Sequence, residues 1–168
     1  MTVVVSDYLN VEQRVSELGL NPPTGLSLLP KNFETAKSRE ELVQENTTPT
    51  VRTLLRQAGV RETKLEKDKE TLPYSLHESF DWVAPIIFVT ASWLSSNPDL
   101  MSNALGVISD YLTDWFKGKS GSQRARLTVV VERTPNKVYK RLDYDGPADQ
   151  INDLVPAVMG VLQPEPEN

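Results

Sequence analysis

The chain of 168 residues contains no cysteine. That absence excludes disulfides, thiolate metal sites, iron–sulfur clusters and thiol catalysis. It also suits a reducing compartment, so the expected setting is cytoplasmic. Histidine is nearly missing: His77 is the single one. One histidine without cysteine cannot build the usual zinc or copper sites. A serine–histidine–aspartate arrangement would have to pass through His77, whose polar surroundings (Tyr74 to Ser79) read as a loop. Only eight glycines are present. None falls into a G-x-x-x-x-G-K, G-x-G-x-x-G or G-x-S-x-G pattern, so no phosphate-cradling loop and no cofactor are expected.

Long apolar runs are lacking as well. The longest uncharged stretch begins at Trp82, and its apolar part to Leu94 is 13 residues, broken by Pro85, Thr90 and Ser92. A membrane-spanning helix needs about 20, so this stretch reads as core and no membrane partner is expected. The N-terminus, Met1 to Asp7, shows neither a basic region nor a long apolar segment, so no secretory signal is expected. The sequon Asn46-Thr47-Thr48 then carries no meaning. Apolar residues make up 39% and charged residues 24%, which suffices for a folded core.

Motifs for metal chemistry fail on spacing. Asp143-Tyr144-Asp145-Gly146 faintly resembles a calcium loop. Aligning Asp143, Asp145 and Gly146 with loop positions three, five and six places Arg141 first and Asn152 last, where carboxylates are required. A strand-ending turn explains the motif better. Asp110 and Asp114 fit the wet face of an amphipathic helix. An enzyme would have to rely on Glu132, Asp143 or His77, which share no diagnostic spacing.

Charge is unevenly placed. The chain carries −5 overall, against general affinity for nucleic acid. From Lys117 to Arg141, eight bases (Lys117, Lys119, Arg124, Arg126, Arg133, Lys137, Lys140 and Arg141) face one acid, Glu132. That segment is +7 and the remainder −12; from Leu142 onward there are six acids and no base. Such segregation marks a candidate binding surface. An ordinary edge hairpin whose lysines guard against aggregation accounts for it better than an anionic partner does.

Periodicity sketches the elements. Val11, Val15 and Leu18 before Gly19 predict a helix over about 7–18, with a brief strand possible at Val3 to Val5. Asn21 to Gly25 breaks regular structure, and Leu26 to Phe33 is expected to lie across the body as an arm. Ser38-Arg39-Glu40-Glu41 reads as a capping box for a short helix to about Glu45. Thr48-Pro49 opens another, with Thr48 as N-cap, Val51, Leu54, Leu55 and Ala58 inward, and Gly59 at its end. Arg52 and Arg56 stand one turn apart on its other side. Val60 to Glu66 alternates weakly, as an edge strand would. Val83 to Thr90 predicts a buried strand. Asn97-Pro98 opens a long helix to about Gly118. Lys119 to Gln123 is a connection. Arg126 to Glu132 and Val138 to Tyr144, joined through Pro135-Asn136-Lys137, predict a hairpin. Arg124 and Arg126 would share a face with Glu132 and Lys140, with Arg141 on the other. Ile151 to Leu162 is a final helical stripe that Pro156 must kink or split.

The expected fold is therefore α+β. A mixed or antiparallel sheet of about four strands carries two helices on one face, in β-β-α-β-β-α order from residue 60. A permuted ferredoxin-like arrangement would satisfy that order. Residues 1–59 form an N-terminal helical arm, 60–163 the core domain, and 164–168 a tail. Trp82, Trp93, Trp115, Phe80, Phe88 and Phe116 are expected in the core. The leading functional expectation is a non-catalytic protein-interaction or regulatory module, with a protein partner or self-association. The alternative is an anion, nucleotide or nucleic-acid binding domain using Arg124, Arg126, Arg133, Lys137 and Lys140.

Overall fold

A computed structural model describes residues 3–67, 71–76, 81–118, 124–134 and 137–162. Among them a mixed sheet of six strands is layered with five α-helices. The strands are β1 (Val3–Asp7), β2 (Leu26–Leu29), β3 (Trp82–Val83), β4 (Ile86–Val89), β5 (Arg124–Arg133) and β6 (Val138–Pro147). The helices are α1 (Val11–Glu17), α2 (Thr48–Gln57), α3 (Ala91–Ser96), α4 (Pro98–Phe116) and α5 (Leu154–Val161).

The strand order is β1-β6-β5-β4-β2, with β3 also pairing to β5. β5 and β6 form the long antiparallel hairpin, and β4 runs parallel to β5 after the α3–α4 crossover. The sheet thus has six strands where about four were expected. Both edges come from the N-terminal segment, β1 pairing antiparallel with β6 and β2 antiparallel with β4, while the expected 83–90 strand divides into β3 and β4 and the one expected at 60–66 does not form. The region expected as an arm is woven into the sheet, and α2 packs against α4.

Alternation along the hairpin divides two cores. Ala125, Leu127, Val129, Val131, Leu142 and Tyr144 point to the layer holding α2, α4 and α5. Val130 and Tyr139 point to the opposite side, where Val11 and Val15 of α1 pack with Phe33, Leu42, Leu65 and Phe88. Of the aromatic residues expected in the core, Trp82 and Phe116 join the first and Phe88 the second, Trp93 and Trp115 pack against the first only partly buried, and Phe80 lies outside the described residues.

Local chemistry explains most element ends and several departures. Asn10 caps α1 by accepting from the Gln13 amide at 3.0 Å. Thr48 proves to be the first helical residue of α2, and the hydroxyl of the N-cap Thr47 donates instead to the Val83 carbonyl at 2.6 Å. The Ser38 box yields only a 3-10 turn over Arg39–Glu41, without a side-chain cap from Ser38. Glu41 instead accepts from the Lys37 amide at 2.9 Å. Pro85 interrupts the expected 83–90 strand and separates β3 from β4, since proline cannot donate to a ladder. Thr90 leaves the strand to cap α3, accepting from the Trp93 amide at 3.3 Å. The final stripe is split as Pro156 requires: a 3-10 segment, Ala148–Asp153, precedes α5, whose first turn holds the proline. His77, the Lys119 to Gln123 connection, Pro135-Asn136 and the 164–168 tail lie outside the described residues.

No helix of the described residues is long and apolar enough to cross a membrane.

Candidate functional site

The hairpin register decides where its cations go. Arg126 pairs with Asp145, Val130 with Arg141 and Val131 with Lys140. Arg124, Arg126 and Arg141 therefore share one face, and Lys140 lies on the other. The faces of Lys140 and Arg141 are the reverse of the sequence expectation, because a shift of one residue in register exchanges every side chain between faces.

Acids meet these cations one by one. Arg124 Nε donates to Asp145 Oδ1 at 3.1 Å. Arg126 lies 3.7 Å from Asp81 and 3.8 Å from Asp145. Lys140 bonds Asp7 of β1, which holds the Asp7 carboxyl below its ordinary range, chiefly through that hydrogen bond. Lys137 Nζ lies 2.5 Å from Glu12 Oε2, and the Glu12 hydrogen bond raises the lysine above its ordinary value. Arg133 is also engaged within the chain. Arg141 is held by Asp143 at 2.9 Å and Glu34 at 2.8 Å, beneath the Tyr8 ring. The five residues singled out from the sequence do not converge. Arg126 and Arg133 stand about 24 Å apart along an extended strand.

Lys137 and Glu132 do reach one cleft of about 340 Å³, at the carboxyl ends of β4 and β5. Glu12, Phe88 and Tyr139 line it as well. Lys137 there adopts a left-handed φ of 47°, a conformation that costs energy for a non-glycine residue. Asp143, the second acid considered for catalysis, accepts from Thr128 at 2.7 Å and from Arg141. No three metal-ligating side chains gather among the described residues.

Two features escaped the sequence reading. The first is a groove of about 430 Å³ beside α2, lined by Arg52, Arg56, Gly59, Arg61, Glu62 and Lys64. Gly59, at φ 83°, makes the sharp turn that builds it. The Gly59 amide donates to the Arg56 carbonyl and the Val60 amide to the Leu55 carbonyl, the paired bonds of a Schellman cap. The chain then returns beside α2. Residues expected there as a strand make only an isolated bridge, Leu26 to Glu62. Arg52 clasps the returning segment, donating to Glu62 at 3.0 Å and Glu66 at 2.7 Å. Burial raises the Glu62 carboxyl above its ordinary value despite Arg52.

The second is the contrast between the sheet edges. β2 is buried throughout. The Thr63 amide donates to its Leu26 carbonyl and the Ser27 hydroxyl donates to the Thr63 carbonyl, both at 2.8 Å. β1 is open: Val4 is 64% and Val5 54% exposed.

No family model, curated protein or solved structure matches the chain.

Proposed function

We propose that this protein is a non-catalytic interaction module that joins a second copy of itself through β1, in a cytoplasmic setting. The observation that carries this reading is the β1 edge, which pairs with no further strand among the described residues and exposes two valines, on a sheet whose other edge is covered. Unpaired strand edges are templates for strand addition, and proteins usually blunt them with charge, proline or a covering segment. Within Val3–Asp7 the one charged side chain is Asp7, already neutralised by Lys140 of its own chain. Two such edges can therefore approach without like-charge repulsion.

Backbone geometry specifies how they would meet. The Tyr8 amide donates to the Tyr139 carbonyl at 3.0 Å, so Tyr8 and, by alternation, Ser6 and Val4 bond inward to β6. Val3, Val5 and Asp7 then present their amides and carbonyls outward. An antiparallel two-fold pairing centred on Val5 sets Val5 against Val5 of the second copy and Val3 against Asp7. The two sheets become one, by an isologous contact.

Light scattering across a concentration series tests this. The wild-type chain is expected to form dimers and Val5→Lys to remain monomeric. A wild-type chain that stays monomeric at millimolar concentration, or a Val5→Lys chain that dimerises equally well, ends the proposal.

A further inference from the structure

The groove beside α2 gathers cations that, among the described residues, form no ion pair. Arg56, Arg61 and Lys64 are exposed, and among the described residues no carboxylate stands within ion-pair distance of them. Among the described residues the Arg56 guanidinium donates to the Thr53 hydroxyl, at 3.2 Å. This is unusual for a chain of net charge −5 that matches the hairpin cations with acids. Three like charges around one groove repel each other, and an anion between them would relieve that repulsion.

The floor is firmly built. Arg52, Glu62 and Glu66 have side chains only 14%, 10% and 9% exposed. Their bonds hold the Gly59 return against α2 and fix the separation of Arg56 from Arg61 and Lys64. The two carboxylates bond Arg52, and Glu62 also feels the charge of Lys64, so the three rim cations outnumber the acids left to face them.

From this geometry we infer that the groove binds a small molecule through a phosphate group, with Arg56 and Arg61 as forked donors and Lys64 as a point charge. Guanidinium groups match the oxygens of phosphate in bidentate fashion. About 430 Å³ exceeds the needs of a bare phosphate ion and falls within the usual range of small-molecule sites. A nucleic-acid strand fits poorly. Among the described residues no aromatic side chain lines the groove to stack a base, three cations neutralise few phosphates, and the rest of the chain is acidic.

Calorimetry on the full chain with inorganic pyrophosphate, and separately with oligo-dT, tests the inference. Pyrophosphate is expected to bind at one saturable site. Arg56→Glu/Arg61→Glu should weaken it by at least about tenfold, the value of a charge-assisted hydrogen bond. Arg124→Glu/Arg126→Glu on the hairpin should leave it unchanged. Arg61→Ala, which loses no ion pair among the described residues, serves as the milder variant and should weaken binding about fivefold on the same reasoning. Absence of saturable pyrophosphate binding, equal affinity in the Arg61→Ala chain, or tighter binding of oligo-dT than of pyrophosphate would overturn the inference.

Discussion

Arg52 on α2 holds Glu62 at 3.0 Å, ten residues further along the chain, in a contact largely shielded from water. The same guanidinium reaches Glu66 at 2.7 Å. One side chain thereby secures the segment that covers the β2 edge. Arg52→Ala would leave two buried carboxylates unpaired, and loss of one partner from such a group costs about 3 kcal/mol. Urea denaturation should show that drop. Arg52→Lys should recover part of it, since an ammonium cannot serve both carboxylates with a planar fork. A loss below about 1 kcal/mol in Arg52→Ala, the scale of a surface pair, would show that the clasp is not structural.

The proposed β1 pairing predicts a cross-link. The chain has no cysteine, so Val5→Cys introduces a single thiol. Opposed residues in a hydrogen-bonded antiparallel pair lie about 5.5 Å apart at Cα, within disulfide range. Oxidation should yield a covalent dimer from Val5→Cys and far less from Ser6→Cys, whose opposite number is Val4. Non-reducing electrophoresis distinguishes the two; equal yields would refute the register.

Ser109, buried in α4, donates to the Ala148 carbonyl at 2.9 Å. This bond anchors the 3-10 segment ahead of α5. Ser109→Ala strands a buried carbonyl and should destabilise the fold by about 2 kcal/mol. Thermal or urea unfolding reads it directly, and an unchanged midpoint would mean the carbonyl finds another donor.

Alkaline stability should reflect three tyrosines. Burial is the largest cause holding the Tyr8, Tyr139 and Tyr144 protons above the ordinary value of 10.0, with Glu34, Glu132 and Asp153 respectively adding to it. As pH rises past that value, the unfolded chain ionises first and the folded chain keeps its protons. The fold binds more protons there, so this stability is present below pH 10 and lost as pH rises above it. Tyr8→Phe should blunt that loss. Denaturation midpoints measured at pH 9 and 11 for both chains check this, and an identical pH slope would contradict it.

Much of the fold was legible because its causes are local. Asn97-Pro98 and the apolar spacing to Trp115 define α4, the glycines after α1, α2 and α4 take positive φ at their ends, and Pro156 divides the last stripe. β2 was not legible as a strand. Its Leu-Ser-Leu-Leu is buried on all sides by partners distant in sequence and shows no alternation. The groove was half visible, as Arg52 and Arg56 one turn apart. That Arg61 and Lys64 join them follows from the turn at Gly59.

The sequence by itself determined the α+β class, the hairpin, the long helix and the placement of positive charge along the chain, since periodicity, caps and turns act over a few residues. Only the tertiary structure decided which charges survive. Lys140 meets Asp7 across 133 positions, Lys137 meets Glu12 across 125 and Arg141 meets Glu34 across 107. Electrostatic partnership depends on distance in space, so a ribbon that is strongly basic as a string of letters is matched by acids once β1 and α1 lie beside it, while the cations next to Gly59 form no ion pair among the described residues.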